Sequence, residues 1–403
     1  MPLMLVGVVG KANVGKSTFF KSATLAEVEI ANYPFATIKP NHGVGFVKVE
    51  CAAENFFKVK CNPRFGYCID GIRFVPVDMI DVAGLVPGAH EGKGMGNQFL
   101  SDLNAAHVLV HVVDISGSTN EKGEPGDPGS YDPSLDVKFL EDELDYWYLG
   151  IIQKGWEKFA RTIQQTHKDP VKEIAKQLGG MNVTEDMAKD VIKKLDLNKE
   201  HVASWTEDEL YKLSREFRKL TKPMIIAANK VDVPGAKENF ERVSKEFPDS
   251  LFVPCSSESE LALREAAKHG LIKYIPGEKS FEIIARDKMN DRQVKALEFI
   301  RTNILDVYGS TGVQQVIDYS VFNILKFMPI FPGGLNKLAD QHGNVLPDCF
   351  LMPPESTALD FAYKLHSDFG DNFIRAVDVK SKRTVGKEHL LKPGDVVEII
   401  SGK

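Results

Sequence analysis

Short, mostly apolar runs occupy residues 3–9, 73–80 and 108–114, and another follows at 224–229. Runs of this length, bounded by glycine and polar residues, read as strands buried on both faces. After the first run a glycine-rich turn leads into helical spacing over 16–26. Strands that alternate with helices predict a doubly wound, mostly parallel sheet. From about 130 to 222 the period changes. Apolar positions recur at helical spacing over 137–154, 156–167, 171–178 and 206–220, with a further candidate at 185–199 that Thr184 is able to cap. The stretch before this block, 116–133, is rich in Gly, Pro, Ser and Asp and reads as a linker. Helical spacing returns over 291–326. The sequence Pro-Ile-Phe-Pro-Gly-Gly then breaks it and opens a small terminal unit, with strand-like runs at 349–352, 374–379 and 396–400 and a helix over 358–368. The expected domains are an α/β domain from 1–129 and 223–290, a helical insertion over 130–222, a helical connector over 291–328, and a terminal unit over 329–403.

Composition changes this picture little. The 403 residues are 43% hydrophobic and 26% charged, ordinary for a chain with a sizeable core. A net charge of −6 provides no general field for nucleic acid or an anionic membrane, so any such contact would be local. The apolar N-terminus has no positively charged leader and no cleavage site, and no apolar run approaches the ~20 residues needed to cross a bilayer. The expectation is a cytoplasmic protein without membrane contact; the sequence is silent on oligomeric state. Of the five cysteines (51, 61, 68, 255 and 349), no two have Cys-x-x-Cys spacing, and free buried thiols are expected.

Candidate chemistry begins at Gly10-Lys11-Ala12-Asn13-Val14-Gly15-Lys16-Ser17-Thr18. Glycines at these spacings let backbone N–H groups wrap phosphate oxygens, and the next helix points its N-terminus at the same anion. Lys16 would meet the β- and γ-phosphates and the Ser17 hydroxyl would meet Mg²⁺. Gly10, Asn13, Val14, Gly15 and Thr18 complete the candidate cradle.

Asp81-Val82-Ala83-Gly84 ends the strand at 73–80. Asp81 stands where a carboxylate holds Mg²⁺ through water, and Gly84 allows a backbone N–H to approach the γ-phosphate. The glycine-dense segment that follows suits a loop that changes with the nucleotide. Thr37 is the candidate for contact with Mg²⁺ and γ-phosphate in the triphosphate state alone. Asn229-Lys230-Val231-Asp232 ends the strand at 224–228. Asp232 would accept from guanine N1–H and its 2-amino group, a donor pair that adenine lacks. Asn229 would brace the loop and the Lys230 stem would cover the base. Residues 252–257 lead from a strand into a small-residue loop, where N–H groups near Ser256 and Ser257 would meet the guanine carbonyl. The ligand expected from the residues is therefore GTP or GDP.

These motifs, in this order, resemble those of a translation-factor-class GTPase. Asn-Tyr-Pro-Phe-Ala-Thr at 32–37 and Gly-Ala-His-Glu-Gly-Lys-Gly-Met-Gly at 88–96 resemble the Obg family, and Asn-Gln-Phe-Leu at 97–100 resembles its YchF/Obg-like ATPase branch. Leu346-Pro347, Thr357–Ala362, His366, Gly370-Asp371 and residues 392–397 resemble a TGS domain, a β-grasp module of several RNA- and ribosome-associated proteins. The resemblance implies an α/β P-loop NTPase G domain with a helical insertion and a C-terminal TGS-like domain, acting with the ribosome or RNA. The YchF branch has Asn-x-x-Glu at the base reader and prefers ATP, whereas Asp232 here favours guanine. A YchF-like ATPase, or a nucleotide sensor with negligible turnover, are the alternative readings.

Leu85 follows Gly84 where Ras-like enzymes carry a water-orienting glutamine, so slow intrinsic turnover is expected. Two residues would compensate. Asn13 matches the asparagine with which potassium-dependent relatives hold K⁺ against the phosphates, or else it stabilises a turn. His90 would position water, or else it is an ordinary exposed histidine. Lys380, Lys382, Arg383 and Lys387 form a basic cluster that would touch phosphates or simply stay solvated.

Overall fold

The computed structural model describes residues 4–25, 41–82 and 103–402, so Thr37, Gly84, Leu85 and His90 lie outside the described residues. The chain divides into two compact units, Leu5–Ser17 with Ile80–Cys255 and Thr18–Met79 with Ser256–Lys403.

In the first unit, strands β1 (Leu5–Val9), β5 (Val108–Asp114), β6 (Met224–Asn229) and β7 (Leu251–Pro254) run parallel in that order. Register follows the apolar runs, with Val8 opposite Val110 and Val110 opposite Ile225. Every residue of β5 is buried, as expected of a strand covered on both faces. At the edge of β1, the Val82 amide donates to the Val8 carbonyl at 3.0 Å, which brings the end of β4 (Ile72–Asp81) alongside.

The helical block contains Ser134–Gln153, Trp156–Thr166, Pro170–Gln177, Glu185–Lys194 and Glu207–Thr221. Local chemistry sets the starts of these helices. Thr184 accepts from the Met187 amide, Asp169 caps a helix that opens on Pro170, and Thr206 with Glu209 forms a reciprocal capping box. Their apolar faces share one core, in which the Trp156 and Trp205 rings stack 5.6 Å apart. Between the first and last of these helices, Arg218 Nε donates to Asp145 Oδ1 at 2.7 Å, with both side chains almost completely buried.

In the second unit, β3 (Tyr67–Ile69) forms a hairpin with β4, and β2 (His42–Glu50) neighbours β4. Helix Ser257–Lys268 and the short hairpin of β8 (Ile272–Tyr274) with β9 (Phe281–Ile283) follow. The C-terminal sheet is ordered β11-β10-β14-β12-β13, from β10 (Met328–Pro332), β11 (Phe350–Met352), β12 (Phe373–Asp378), β13 (Arg383–Val385) and β14 (Val396–Ser401). Helix Ala358–Leu365 packs Ala358 and Phe361 into the same core.

Two sequence readings require correction. The segment 116–133 is a folded loop, closed by a Thr119–Pro125 bridge and by hydrogen bonds from Gly126 N to Ser118 O and from Tyr131 N to Gly117 O. The proline-rich break at 329–334 contains most of strand β10. Its prolines are tolerated because Pro332 lies beyond the last pairing with β11, at Ile330–Phe350, and Pro329 lies before the first with β14, at Phe331–Val396.

Replacing Asp145 by alanine would take the close partner from the buried Arg218 guanidinium and leave it the 3.8 Å contact with Glu141. The expected loss is about 3–5 kcal/mol, read as a lower urea midpoint for the helical block. An unchanged midpoint would show that the pair contributes nothing.

Candidate functional site

The loop after β1 has the backbone its sequence requires. Gly10 and Gly15 have φ of 154° and 91°, and Asn13 is left-handed at 61°. A Cβ on Gly10 would stand 2.6 Å from the Val112 carbonyl oxygen, and one on Gly15 would stand 2.3 Å from Asn229 Nδ2. Glycine at these two positions is therefore enforced by approach as well as by φ.

Side chains around the loop set its shape. Asn229, buried at the end of β6, donates from Nδ2 to the Val14 carbonyl at 2.9 Å. Lys11, although it lies inside the glycine-rich motif, is anchored away from the cradle. Its Nζ donates to Thr119 O at 3.0 Å, pairs with Asp136 at 2.7 Å and lies 4.0 Å over the Tyr131 ring. Lys16 Nζ stands 2.6 Å from Asp81 Oδ1, and Ser17 Oγ 3.4 Å from Asp81 Oδ2. The Lys16 ammonium, the Ser17 hydroxyl and the strand-end carboxylate thus converge. Thr18 lies one residue further, in the helix Lys16–Thr24.

Asn13 Nδ2 donates to the Gly123 carbonyl at 2.8 Å. An acceptor there requires the amide nitrogen to face it, which leaves Oδ1 as the atom available to a cation.

The base-reader segment is held by a carboxylate that the sequence reading overlooked. Asp114, the last residue of β5, accepts from Ser116 Oγ at 2.5 Å, Ser118 Oγ at 2.8 Å, Thr119 Oγ1 at 2.9 Å and Lys230 Nζ at 2.9 Å. Burial alone would raise its pKa, but bonds from Ser116, Lys230 and Ser118 hold it below the usual carboxylate range. Lys230 itself has φ of 66°. Asp232 is half-buried, with no side-chain partner among the described residues. The end of β7 is tied to the same segment, since Cys255 N donates to Ala228 O at 2.8 Å and Val231 N to Cys255 O at 3.1 Å. Ser256 caps the helix Ser257–Lys268 through Ser259, and its own amide donates to Thr311 O at 2.9 Å; Ser257, the first residue of that helix, is buried.

The signal that could have found Asp114 is an aspartate closing a strand apolar but for His111, followed by Ser116, Ser118 and Thr119 within five residues. Its Gly, Pro and Ser neighbours gave the linker reading instead.

A phosphate loop between β1 and a helix, a carboxylate at the end of the adjoining strand, and Asn-Lys-x-Asp after β6 define a P-loop GTPase domain. Residues 5–134 match the family model described as 50S ribosome-binding GTPase, and residues 227–333 that described as Obg-like GTPase YGR210-like, G4 motif-containing domain. Residues 342–401 match the TGS domain. An uncharacterized GTP-binding protein of Methanocaldococcus jannaschii is 48% identical over 400 residues, which span 99% of both chains. The crystal structure of a GTP binding protein from Pyrococcus horikoshii OT3 superposes with a TM-score of 0.77 at 38% identity, covering 99% of this chain and all of that one. The ribosome-binding ATPase YchF of Bacillus subtilis is 27% identical over 421 residues, 98% of each chain. The chain belongs to the Obg-like, YchF-related family of GTP-binding proteins.

Asp114→Asn should weaken guanine-nucleotide binding by at least about tenfold while helical content is retained, because Lys230 loses its charged partner. Its folded pKa is depressed, so the stability that Asp114 contributes is present above its unfolded pKa of about 3.9 and is lost as pH falls through the folded value. Urea titrations of both proteins at falling pH should converge; parallel curves would refute this assignment.

Proposed function

We propose that the chain hydrolyses GTP to GDP and phosphate and acts as a nucleotide-dependent switch. The observation that carries this reading is the 2.9 Å bond from Asn229 to Val14, which joins the base-reader segment directly to the phosphate loop. A ligand that fills both segments must carry a purine and phosphates together.

In this reading the backbone amides from Gly10 to Ser17 bind the phosphates, and Lys16 turns from Asp81 to the β- and γ-phosphates. Ser17 and Asp81, hard oxygen donors 3.4 Å apart, suit Mg²⁺, with Thr37 joining them in the triphosphate state. An ion held by these residues would supply positive charge that offsets charge on the transferring group. The Gly84 amide would meet the γ-phosphate. Asp232 reads guanine N1–H and the 2-amino group, Asn229 braces that loop, the Lys230 stem covers the base, and the N–H groups near Ser256 and Ser257 face the guanine carbonyl.

Leu85 offers no hydrogen bond to water, so intrinsic turnover is slow. Asn13 Oδ1 would hold K⁺ against the phosphates, where a cation offsets developing negative charge. His90 is the proposed water-positioning group. The G domain is assigned to 1–129 and 223–290, the helical insertion to 130–222, the connector to 291–328 and the TGS-like domain to 329–403. A ribosomal or RNA partner is supported by the ribosome-binding name of the B. subtilis relative and by the exposed side chains of Lys382, Arg383 and Lys387. The same relative's name favours ATP as an alternative substrate, against which Asp232 stands.

Asp232→Asn should lower GTP affinity by at least about 100-fold and gain xanthosine triphosphate, whose carbonyl replaces the 2-amino donor. Equal competition by ATP against the unsubstituted chain would favour the ATPase reading. Single-turnover GTP hydrolysis should run faster in KCl than in NaCl, and Asn13→Ala should erase the difference; equal rates in the two salts would remove the cation. Changing Lys380, Lys382 and Arg383 to alanine should reduce co-sedimentation with ribosomes, and undiminished binding would remove that surface from the proposal.

A further inference from the structure

Between the phosphate loop and Asp81 in the chain, four donor side chains meet at one point in the second unit. The sulfurs of Cys51, Cys61 and Cys68 and a Glu54 carboxylate oxygen all lie within 4.8 Å of one another. Glu54 Oε1 is 3.8 Å from Cys61 Sγ and 3.4 Å from Cys68 Sγ. A tetrahedral Zn²⁺ with Zn–S of about 2.3 Å and Zn–O of about 2.0 Å has S···S edges of about 3.8 Å and S···O edges of about 3.5 Å. The two S···O separations, 3.8 and 3.4 Å, lie close to that S···O edge. All three cysteines are free thiols, although they are close enough to hydrogen-bond to one another.

The fold assembles these donors from separate pieces. Cys51 directly follows β2, and Glu54 sits in the single turn Ala52–Phe56. Cys61 lies in the irregular stretch 57–66, and Cys68 is held in β3 opposite Arg73 of β4. No regular spacing announces the set, because strand pairing closes it. Buried thiols alone do not describe it either, since Cys61 and Cys68 are half-exposed. Three thiolates and a carboxylate would repel without a cation, while soft sulfur donors select a metal such as Zn²⁺. A closed set of four protein donors is the structural type, with no position left for substrate.

The stretch 57–66 has no core of its own, with Lys58, Val59, Lys60, Asn62 and Arg64 exposed. It nevertheless carries the contact with the C-terminal domain. Asn62 N donates to Val345 O at 3.0 Å, Arg64 N donates to Pro347 O at 2.8 Å, and the Arg64 guanidinium meets Asp340 at 3.2 Å. The buried Arg73, opposite Cys68, donates to the carbonyls of Leu346 and Pro347 at 3.2 and 2.6 Å.

We propose that Cys51, Glu54, Cys61 and Cys68 bind a structural Zn²⁺ that fixes the 57–66 loop as the platform on which residues 340–348 of the C-terminal domain dock. Binding of the ion is coupled to the order of the loop, as in small metal-stapled segments. Cys349 lies outside the donor set and takes no part.

The test is the metal content of the full chain, purified without chelator and reconstituted with Zn²⁺ under reducing conditions, together with the visible spectrum after Co²⁺ replaces it. One zinc per chain is expected, with the intense d–d bands of tetrahedral thiolate-bound Co²⁺. Cys61→Ser with Cys68→Ser should abolish both signals, and Glu54→Gln should weaken Zn²⁺ affinity by at least about tenfold. Cys349→Ser should leave both unchanged. Removing the metal from the unsubstituted chain should speed tryptic cleavage after Lys58 and Lys60 by at least tenfold. Failure to take up zinc, metal retention by the double variant, loss of metal in Cys349→Ser, or a cleavage rate indifferent to metal would each overturn the proposal.

Discussion

In the proposed nucleotide site one buried hydrogen bond, from the Asn229 side chain to the Val14 carbonyl, ties the segment after β6 to the phosphate loop. A phosphate cradle made of backbone amides has no side-chain core to hold its shape, so something outside must. In water this bond would contribute about 1 kcal/mol. Buried, it costs more to lose, because the polar groups it joins would remain desolvated. Gly15 is part of the same constraint, since any Cβ there would collide with the Asn229 amide. The base reader and the phosphate loop are therefore one structural object, and a change at either end reaches the other.

Asp114 supports that object from the adjoining strand. A buried carboxylate is costly unless its oxygens are filled, and here three hydroxyls and the Lys230 ammonium fill them. The consequence is conformational. The 116–131 loop folds back so that Gly123 meets Asn13 and Thr119 meets Lys11, and the phosphate loop is clamped from its outer side. Of the two lysines in the motif, Lys11 is anchored to Thr119 and Asp136, whereas Lys16 meets Asp81.

What was legible in the sequence follows from where the chemistry is local. The phosphate loop, the strand-ending Asp81 and the Asn-Lys-x-Asp tetrapeptide are contiguous because close approach to phosphate and base demands particular residues at consecutive positions. The helical block was legible through its 3.6-residue period, and Thr184 and Thr206 act at helix starts. The Asp114 hub was hidden because Gly, Pro, Ser and Asp build a tight loop as readily as a linker. Strand β10 was hidden by its two prolines, whose tolerance depends on where neighbouring strands end. The Cys51, Glu54, Cys61 and Cys68 cluster was hidden because its members meet only after β3 pairs with β4. The β10 and cysteine omissions concern relations between separate segments, whereas the Asp114 signal was local and read equally well as a linker.

The coupling of the two halves of the site is tested most directly by the affinities of Asn229→Ala and the unsubstituted chain for GTP and for guanosine, each measured by competition against a fluorescent nucleotide. If Asn229 holds the phosphate loop as well as the base reader, the substitution should weaken GTP by at least about tenfold more than it weakens guanosine, a difference of ~1.4 kcal/mol. Equal losses for the two ligands would mean that Asn229 braces the base loop alone, and the account of a single joined pocket would be wrong.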